Sequence, residues 1–579
     1  MMTSRLRAQL DQDEGLGELD KVVEKHGRVE GEPFSFDGHE FQREIIRDTR
    51  SRISVRKCSQ VGLTELMVQK TMAMCAVMKH KRIIFTLPVE SMASKMSKDR
   101  IDGLVDQSEY YRGMVVKANN SASLKKVGTC SLYIGGTFGN TGAISVPAEV
   151  VISDEIDFSN QHVLGKLSSR LRHATKDERG YSGKRFEFST PTVDDYGVDA
   201  RFKKGHQAHY MAKCLSCGSW EVPDFFEDFV IPGMDKPLVE LERRDMQNET
   251  YRFHEAWIKC PNCGDNLWPA IMDPSRREWV ARHPDRWEHS YQVMPWDVPM
   301  HNTPASIINQ FGEYTNFQDF ANFVLGVPFT SPDNSFLVSQ EHKDRVADAE
   351  LWIYGQHIVK SATVGGLDVG KTCHLVVMAQ AGKKSFVVWA ETIPNTINKP
   401  ATEAVLERFE FFKMRKLVVD AGPDITLVNQ LVSAKALGHI SACQYVRSVP
   451  GLDIISEHDD GQLIKADRTK TINDAMVRHN AGDIHYPAKL ADDIFVHLKA
   501  LKKIRNLDAA GEDVERFEAT GEDHYAHSLN YANIARMALE EFGDEIPFAM
   551  PPTVGKMKVG KKASRSVDGK PLPGLKRIG

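Results

Sequence analysis

The sequence predicts an α/β protein with several domains, and three features of the chain support this. From about residue 40, short apolar runs alternate with helical stretches, which is typical of a mostly parallel, doubly wound sheet. Residues 205–300 interrupt that rhythm with Trp, Pro, His and paired cysteines. Near residue 360 three closely spaced strands begin, a spacing that suits an antiparallel meander. A chain of 579 residues has room for three or four structural units.

Composition and charge exclude several classes of protein. Hydrophobic residues make up 41% of the chain and charged residues 26%, which fits a globular protein and excludes wholesale disorder. The 74 basic and 79 acidic residues give a net charge of −5, so any nucleic-acid site must be a local patch. No apolar run approaches the roughly 18 residues of a membrane span, and the N-terminus lacks the apolar core of a signal peptide. Nine cysteines without a secretion signal indicate a reducing cytosol.

The first expected strand, RISV, leads into a glycine-containing loop and a helix. The loop, Lys57-Cys-Ser-Gln60-Val-Gly62-Leu-Thr64, matches the end of the phosphate-loop motif G-x-x-x-x-G-K-[ST] at Gly62 and Thr64. Leucine stands where the motif has lysine, and Lys57 lies at the first position of the loop, from which it would reach the phosphates from the other side. Taken alone, the segment fits a plain strand, turn and helix as well.

Two later strand ends strengthen the prediction of a nucleotide site. The strand EVVISDEIDF places Asp154 and Glu155 together, the pattern in which an aspartate supports Mg²⁺ and a glutamate polarises the attacking water. The strand FEFSTPT ends in Ser189 and Thr190, hydroxyls suited to sensing a γ-phosphate. Upstream of the first strand, Phe41 and Gln42 are either adenine contacts or simply a helix start.

Four cysteines form two C-x-x-C-G knuckles. They are Cys214 with Cys217 and Cys260 with Cys263. Two knuckles place four thiolates around Zn²⁺ at about 2.3 Å, and a filled tetrahedral shell is typical of structural rather than catalytic zinc. A redox-active pair is the alternative, although two copies followed by glycine favour zinc. The 42 residues between the knuckles fit a ribbon with an insertion.

Carboxylates at two later strand ends suggest a second metal site. Asp368 lies in VGGLDVG, the first strand of the second pattern, and Asp420 ends the fourth strand, KLVVD. In an RNase H-like sheet these strands are neighbours, so two Mg²⁺ ions about 3.5–4 Å apart would lie between them for phosphodiester cleavage. A late helix would supply the third ligand from Asp523 or His527, which share one helical face. For a single aspartate, a cap or turn role remains the simpler interpretation.

The order of K-x-x-Q-V-G-x-T, VVISDE, FSTPT and NFVLGVPF resembles the large terminase subunit of tailed bacteriophages, in its lambda-type (GpA-like) branch. The resemblance covers residues 35–540, and that branch places the phosphate-loop lysine at the first position of the loop, as Lys57 is here. It implies an ATP-driven motor that translocates double-stranded DNA into the procapsid and a nuclease that cuts concatemeric DNA. The implied cofactors are ATP, Mg²⁺ (or Mn²⁺) and structural Zn²⁺.

The resemblance also implies roles and partners. Lys57, Gln60, Gly62, Thr64 and Gln42 would bind nucleotide, Asp154 the metal, Glu155 would be the catalytic carboxylate, and Ser189 and Thr190 would couple hydrolysis to movement. The implied partners are DNA, a small terminase subunit, the capsid portal and other copies in a ring, and the location is the host cytoplasm and, transiently, the portal. Relatives commonly have D-H-x-x-D near the third ligand, whereas His527 stands at the second aspartate here.

The predicted organisation places the P-loop ATPase first, with an inserted or appended zinc ribbon, then an RNase H-like nuclease and a basic disordered tail. The expected boundaries are a lead-in at 1–34, the ATPase core at 35–204, the zinc-ribbon region at 205–300, a helical connector at 301–357, the nuclease at 358–545 and the tail at 546–579. From 551 the tail contains eight Lys or Arg residues and one Asp, which cannot form a core.

Two other interpretations compete with this one. A zinc-ribbon helicase–nuclease of DNA repair would carry strand-separation motifs after STPT, and none is apparent before the connector. A non-catalytic assembly ATPase would not need Asp368 and Asp420. Arg170 and Arg172 are candidates for an arginine that acts on a neighbouring subunit's site.

Overall fold

The fold is described from a computed structural model of the 579-residue chain. It describes residues 15–139, 145–348, 363–398, 400–435, 438–447, 449 and 453–541, and no side chains at 117–119, 540 and 541. The described residues form two compact units, one within 15–330 together with 505–514 and the other within 331–504 together with 515–541. Within the described residues, no helix is both long and apolar enough to cross a membrane. The expected tail, 546–579, lies outside the described residues, as do 1–14 of the lead-in and 349–357 of the connector.

The first unit is built on a large, mostly parallel sheet. Its strand order is β11-β10-β15-β3-β9-β8-β4-β7-β6-β5, and β14 pairs with β10. The six neighbours from β15 to β7 are parallel, which confirms the predicted parallel sheet. The strands are β1 (Arg28–Val29), β2 (Glu32–Pro33), β3 (Arg52–Lys57), β4 (Arg82–Leu87), β5 (Val115–Asn120), β6 (Leu124–Val127), β7 (Cys130–Gly136), β8 (Val150–Asp154), β9 (Lys184–Ser189), β10 (Ala208–Lys213), β11 (Trp220–Glu221), β12 (Phe229–Val230), β13 (Trp257–Ile258), β14 (Arg277–Ala281) and β15 (His289–Val293).

Helices cover both faces of this sheet, as the alternation of buried residues requires. Ile83 and Phe85 of β4 belong to the apolar cluster that includes α3, whereas the intervening Ile84 packs with Leu164 of α7 on the other face. The helices are α1 (Leu19–His26), α2 (Gln42–Arg47), α3 (Leu63–Val77), α4 (Glu90–Met96), α5 (Gly103–Gln107), α6 (Glu109–Met114), α7 (Gln161–Arg170), α8 (Gly197–Lys204), α9 (Phe225–Asp228), α10 (Trp268–Ile271), α11 (Pro304–Glu313) and α12 (Phe317–Asp319).

The cysteine-rich region shares the sheet of the first unit. Strand β15 pairs in parallel with β3, and β10 pairs with β15 and with β14. Residues 205–300 therefore extend the same sheet as well as forming a cluster of their own. The sequence does not reveal this, because the apolar runs that mark β10 and β15 are short and lie far apart. The boundaries given above for each domain stay predictions.

The second unit contains a nine-stranded sheet in the order β16-β24-β19-β18-β17-β20-β21-β23-β22. Strands β17, β18 and β19 pair antiparallel in sequence, which confirms the predicted meander, and β20 lies parallel beside β17. The strands from here on are β16 (Ala347–Asp348), β17 (Thr363–Asp368), β18 (Thr372–Ala381), β19 (Lys384–Pro394), β20 (Met414–Asp420), β21 (Ile440–Val446), β22 (Ile455–His458), β23 (Leu463–Asp467), β24 (Ile484–Pro487), β25 (Leu501–Leu507) and β26 (Asp513–Ala519).

The longest helix of this unit lies directly on the first strand of the meander. A Cβ added to Gly366 of β17 would lie 2.1 Å from the Ser528 carbonyl oxygen of α18, so only glycine permits this close approach. Gly366 therefore sets how near α18 comes to the strand that carries Asp368. The helices are α13 (Gln340–Val346), α14 (Thr402–Phe411), α15 (Ile425–Ser433), α16 (Arg468–Ala481), α17 (Ala488–Ala500) and α18 (His524–Glu541).

Candidate functional site

The loop between β3 and α3 has the backbone of a strand–loop–helix turn. Gln60 and Gly62 have positive φ values of 59° and 74°, and α3 begins directly after Gly62. The Ser59 amide donates to the Phe323 carbonyl at 2.8 Å, and the Cys58 amide donates to the Val293 carbonyl at 3.2 Å. The loop is therefore held from outside at its start, while its second half leads into the N-terminus of α3.

Lys57 is buried at the end of β3 and pairs with Glu155. Its Nζ donates to Glu155 Oε1 at 2.8 Å, and the lysine side chain is 7% exposed. Burial alone would lower the pKa of Lys57, but the charges of Glu155 and Asp154 raise it above its ordinary value. The lysine is therefore charged and lies beside the two carboxylates at the end of β8.

Asp154 lies at the end of β8 and contacts the start of α3. Thr64 Oγ1 donates to Asp154 Oδ2 at 2.8 Å, and the Glu155 amide donates to Asp154 Oδ1 at 2.8 Å. Burial, together with the nearby charge of Glu155, raises the pKa of Asp154 to about 7. A hydroxyl and a carboxylate thus lie side by side, which is the oxygen pair that a hard cation prefers.

Glu155 is held at its other oxygen by the end of β9. Ser189 Oγ donates to Glu155 Oε2 at 3.1 Å, and the Thr190 amide and Oγ1 both donate to it at 3.3 Å. The backbone of Glu155 is left-handed, with φ of 49°, an uncommon conformation for a non-glycine residue that is found at functional sites. The structure thus brings Lys57, Thr64, Asp154, Glu155, Ser189 and Thr190 together.

The other predicted residues of this site have varied positions. Gln42 is buried and its Nε2 donates to the Val61 carbonyl at 3.0 Å, so it touches the loop. Phe41 is fully buried immediately before α2 and packs near Tyr210, which favours a core role over an adenine contact. Gln60 is exposed at the loop. Arg170 ends α7, and Arg172 is exposed just beyond it.

The four predicted zinc ligands converge in the first unit. The sulfur atoms of the four cysteines lie within 4.8 Å of one another, and the Cys214–Cys263 and Cys217–Cys260 sulfur pairs are each 3.8 Å apart. Cys214 and Cys260 are buried in an apolar cluster with Ile258, whereas Cys217 and Cys263 are exposed.

Asp368 and Asp420 lie at the ends of two adjacent parallel strands. The register pairs Leu367 of β17 with Val419 of β20, so the aspartate that follows each lies at the same edge. Burial raises the pKa of both carboxyls, and the charge of Asp368 adds to the shift of Asp420. Two partly buried carboxylates that repel each other form a site that a cation would stabilise.

The start of α18 completes this edge. Asp523 directly precedes the helix, and its Oδ2 lies 3.1 Å from His527 Nε2. Burial acts to raise the pKa of Asp523, but the hydrogen bond and charge of His527 bring it below its ordinary value. The other ring nitrogen of His527, Nδ1, lies 3.5 Å from the Tyr445 hydroxyl. His527 is thus placed to orient Asp523.

Two histidines at this edge were not predicted as site residues from the sequence. His524 Nδ1 lies 2.9 Å from Asp368 Oδ2, and the ring of His374 stacks on His524 with centroids 4.6 Å apart. His524 stands next to Asp523 in the sequence, so the motif pointed to it, but His374 gave no signal. Its position follows only from the strand register, which pairs it with Asp368.

Comparison with known proteins gives a family-model match to part of the chain and a structure of similar fold. Residues 31–277 match the family model described as the ATPase domain of the phage terminase large subunit gpA. The search of curated proteins found no match. The crystal structure of the bacteriophage HK97 large terminase is similar in fold, with 11% identity, a TM-score of 0.50, and coverage of 89% of this chain and 99% of that one.

Two other solved structures are less similar. The large terminase of a thermophilic bacteriophage, in its second crystal form, has 11% identity and a TM-score of 0.30, covering 88% of this chain and 100% of that one. The large terminase nuclease of the thermophilic phage G20c, with bound magnesium, has 14% identity and a TM-score of 0.24, covering 35% of this chain and 97% of that one.

Proposed function

We propose that this chain, whose residues 31–277 match the ATPase-domain model of the phage terminase large subunit, is a DNA-packaging motor that hydrolyses ATP and cuts DNA with a metal-dependent nuclease. One observation carries the proposal: a buried lysine at the first position of the loop lies beside two carboxylates at the end of β8, next to the start of α3. A charged lysine and a helix N-terminus together favour a bound phosphate.

In the ATPase site, each side chain has a distinct proposed role. Lys57 leaves Glu155 to contact the phosphates, and this frees Glu155 Oε1 to orient the attacking water. Thr64 and Asp154 would hold Mg²⁺, which when bound neutralises phosphate charge. Ser189 and Thr190, bonded to the other oxygen of Glu155, would report the state of the site to the end of β9. Gln42, Gln60 and Gly62 would complete the nucleotide contacts.

We assign the nuclease site to Asp368, Asp420 and Asp523 at the edge of the second sheet. Three carboxylates offer the oxygen donors that Mg²⁺ or Mn²⁺ prefers, and two such ions promote phosphodiester cleavage by activating water and stabilising the leaving oxygen. Asp523 is the better third ligand, because both ring nitrogens of His527 already face protein atoms. His527 then orients Asp523 or protonates the leaving oxygen. The sheet order supports an RNase H-like domain.

The four cysteines fit a structural zinc site. Their sulfur atoms lie within 4.8 Å of one another, and two of the four are embedded in an apolar cluster, so metal binding would be coupled to folding of this region. Four thiolate ligands fill a tetrahedral shell and leave no position for a substrate. The ion would thus support a zinc ribbon.

The proposed partners follow from the family. They are double-stranded DNA, a small terminase subunit, the capsid portal, and further copies in a ring to which Arg170 or Arg172 would contribute, in the host cytoplasm and on the procapsid. The basic residues of 546–579 would dock on the portal. Salt-sensitive tethering of DNA is the alternative for that segment, and deletion after residue 550 separates the two by its effect on packaging and on DNA affinity.

The test is to mix purified protein with supercoiled plasmid and Mn²⁺, with and without ATP. DNA-stimulated ATP hydrolysis and cleavage should both appear, Lys57→Ala should lose only the first, and Asp368→Asn only the second. Hydrolysis without any cleavage would indicate an assembly ATPase instead. Strand separation of a blunt duplex would indicate a helicase–nuclease.

A further inference from the structure

The edge of the second sheet holds a second donor set that differs in chemistry from the three carboxylates. Asp368, His374 and His524 each offer one ligand atom, and these atoms lie within 4.8 Å of one another. Three separate elements bring them together. Asp368 ends β17, His374 is its direct partner across the antiparallel pair with β18, and His524 begins α18.

The buried member of this set has an unpaired nitrogen. His374 is 8% exposed, and its Nδ1 has no hydrogen-bond partner among the described residues. A buried ring nitrogen without a partner is costly, because it has lost water and gained nothing in exchange. His497 of α17, also 8% exposed with an unpaired Nδ1, lies behind it with the ring centroids 5.8 Å apart. A metal ion in this cluster would give the ring of His374 a polar partner.

We propose that Asp368, His374 and His524 form a histidine-rich cation site that takes Zn²⁺ or a similar borderline ion and shares Asp368 with the nuclease site. Imidazole nitrogens suit zinc, whereas Mg²⁺ prefers oxygen donors, so the two donor sets select different cations. The 2.9 Å contact between His524 Nδ1 and Asp368 Oδ2 places these two ligand atoms side by side.

Sharing Asp368 makes the two sites compete. Zn²⁺ held by the two histidines would engage the Asp368 carboxylate, which would then no longer be available to a Mg²⁺ ion shared with Asp420. Zinc is therefore an inhibitor of DNA cleavage through this site. This second step rests on the proposed nuclease function, whereas zinc binding itself does not.

The binding test uses the full chain and Zn²⁺ alone, measured by calorimetry without Mg²⁺. His524→Gln removes one ligand from a side chain that is 46% exposed, so it should not disturb the core, and His374→Gln removes the buried ligand. His458→Gln is the matched control, since His458 is exposed on β22 and outside the cluster. Zinc bound by the cysteines is common to all four proteins and cancels in the comparison.

Both cluster variants should weaken one zinc-binding event at least tenfold, while the His458 variant matches the wild type. Equal zinc binding in all four proteins would overturn the site. In plasmid cleavage with Mg²⁺, zinc should inhibit the wild type, and His374→Gln should need about ten times more. Unchanged inhibition in His374→Gln would overturn the competition. If the wild type never cleaves DNA, the nuclease assignment fails instead, and the calorimetry still decides the zinc site.

Discussion

The two proposed catalytic regions differ in the side chains that face their carboxylates. In the first unit Glu155 is balanced by the ammonium of Lys57, and Asp154 accepts from Thr64. In the second unit Asp368 and Asp523 meet the histidines His524 and His527, and burial raises the pKa of Asp368 and of Asp420. A site balanced by an ammonium must be opened by its ligand, whereas a site whose carboxylates face histidines is completed by cations.

The largest expected effect is on the balanced site. Lys57→Ala removes the ammonium that pairs with Glu155 and that we propose contacts the phosphates, so ATP hydrolysis should be abolished, a loss larger than the roughly 100-fold that removal of a single charge-stabilising donor causes. Plasmid cleavage should stay at the wild-type level. Lys98→Ala, an exposed lysine in the same unit, is the control and should keep both activities. Wild-type hydrolysis in Lys57→Ala would contradict the assignment.

At the other site, Asp523→Ala should eliminate cleavage with Mg²⁺ and with Mn²⁺, because it removes an anionic oxygen ligand. His527→Ala should only reduce cleavage, and more with Mg²⁺ than with Mn²⁺. This variant removes the residue that orients Asp523 but keeps Asp523 itself as a ligand. Initial rates of plasmid nicking in each metal measure both. A dead His527 variant beside an active Asp523 variant would reverse their roles, and two active variants would remove α18 from the site.

Glu155→Gln tests the role of the ion pair between Lys57 and Glu155. Without the ion pair, Lys57 is free before ATP arrives, so ATP should bind several-fold more tightly. Hydrolysis should slow by about 100-fold or more, since a carboxylate that activates water contributes a factor of this size. Equilibrium binding of a fluorescent ATP analogue and single-turnover hydrolysis separate the two effects. Weaker ATP binding together with slower hydrolysis would contradict the claim that the ion pair must open before ATP binds.

How much of this could be predicted from the sequence differs between the two regions. Asp154, Ser189 and Lys57 each end a buried strand of one parallel sheet, and the ends of parallel strands meet, so their proximity was predictable. Asp368 and Asp420 follow the same rule. His374 lies on the antiparallel neighbour of β17 and belongs to no sequence motif. Only the register of β17 with β18 places it beside Asp368.

The cysteine region was predictable in its chemistry but not in its place. Two C-x-x-C-G knuckles predict four converging thiols from spacing alone, and the sulfur atoms do converge. That β15 enters the large sheet beside β3 could not be predicted, because a five-residue strand carries too little pattern to show which neighbour it joins.

Removal of zinc should therefore also destabilise the apolar cluster that contains Cys214 and Cys260. Cys260→Ser should lose the ion and lower the melting temperature by several degrees, because Cys260 lies in the apolar cluster with Ile258 and Trp296. Cys130→Ser, equally buried but outside the four thiols, is the control for the loss of a core sulfur. Metal analysis and calorimetry measure the two effects. A Cys260 variant that keeps one zinc per chain would contradict the prediction.

The smallest expected effect is a pH dependence in the second unit, and it comes from His479. This residue is fully buried, with Nδ1 2.7 Å from the Tyr486 hydroxyl and Nε2 2.7 Å from the Leu337 carbonyl, so a neutral ring satisfies both partners. Burial lowers its pKa to about 3. Between that value and the roughly 6.5 of an unfolded histidine, the unfolded chain holds a proton that the folded chain does not. The free energy of unfolding therefore falls as pH falls below about 6.5, by up to about 1.4 kcal/mol per pH unit.

His479→Gln should be less stable than the wild type at pH 7.5 yet lose less free energy of unfolding between pH 6.5 and 5, whereas the exposed His458→Gln should follow the wild type. Urea unfolding of the three proteins at these pH values measures this, and equal slopes for His479→Gln and the wild type would show that another group titrates.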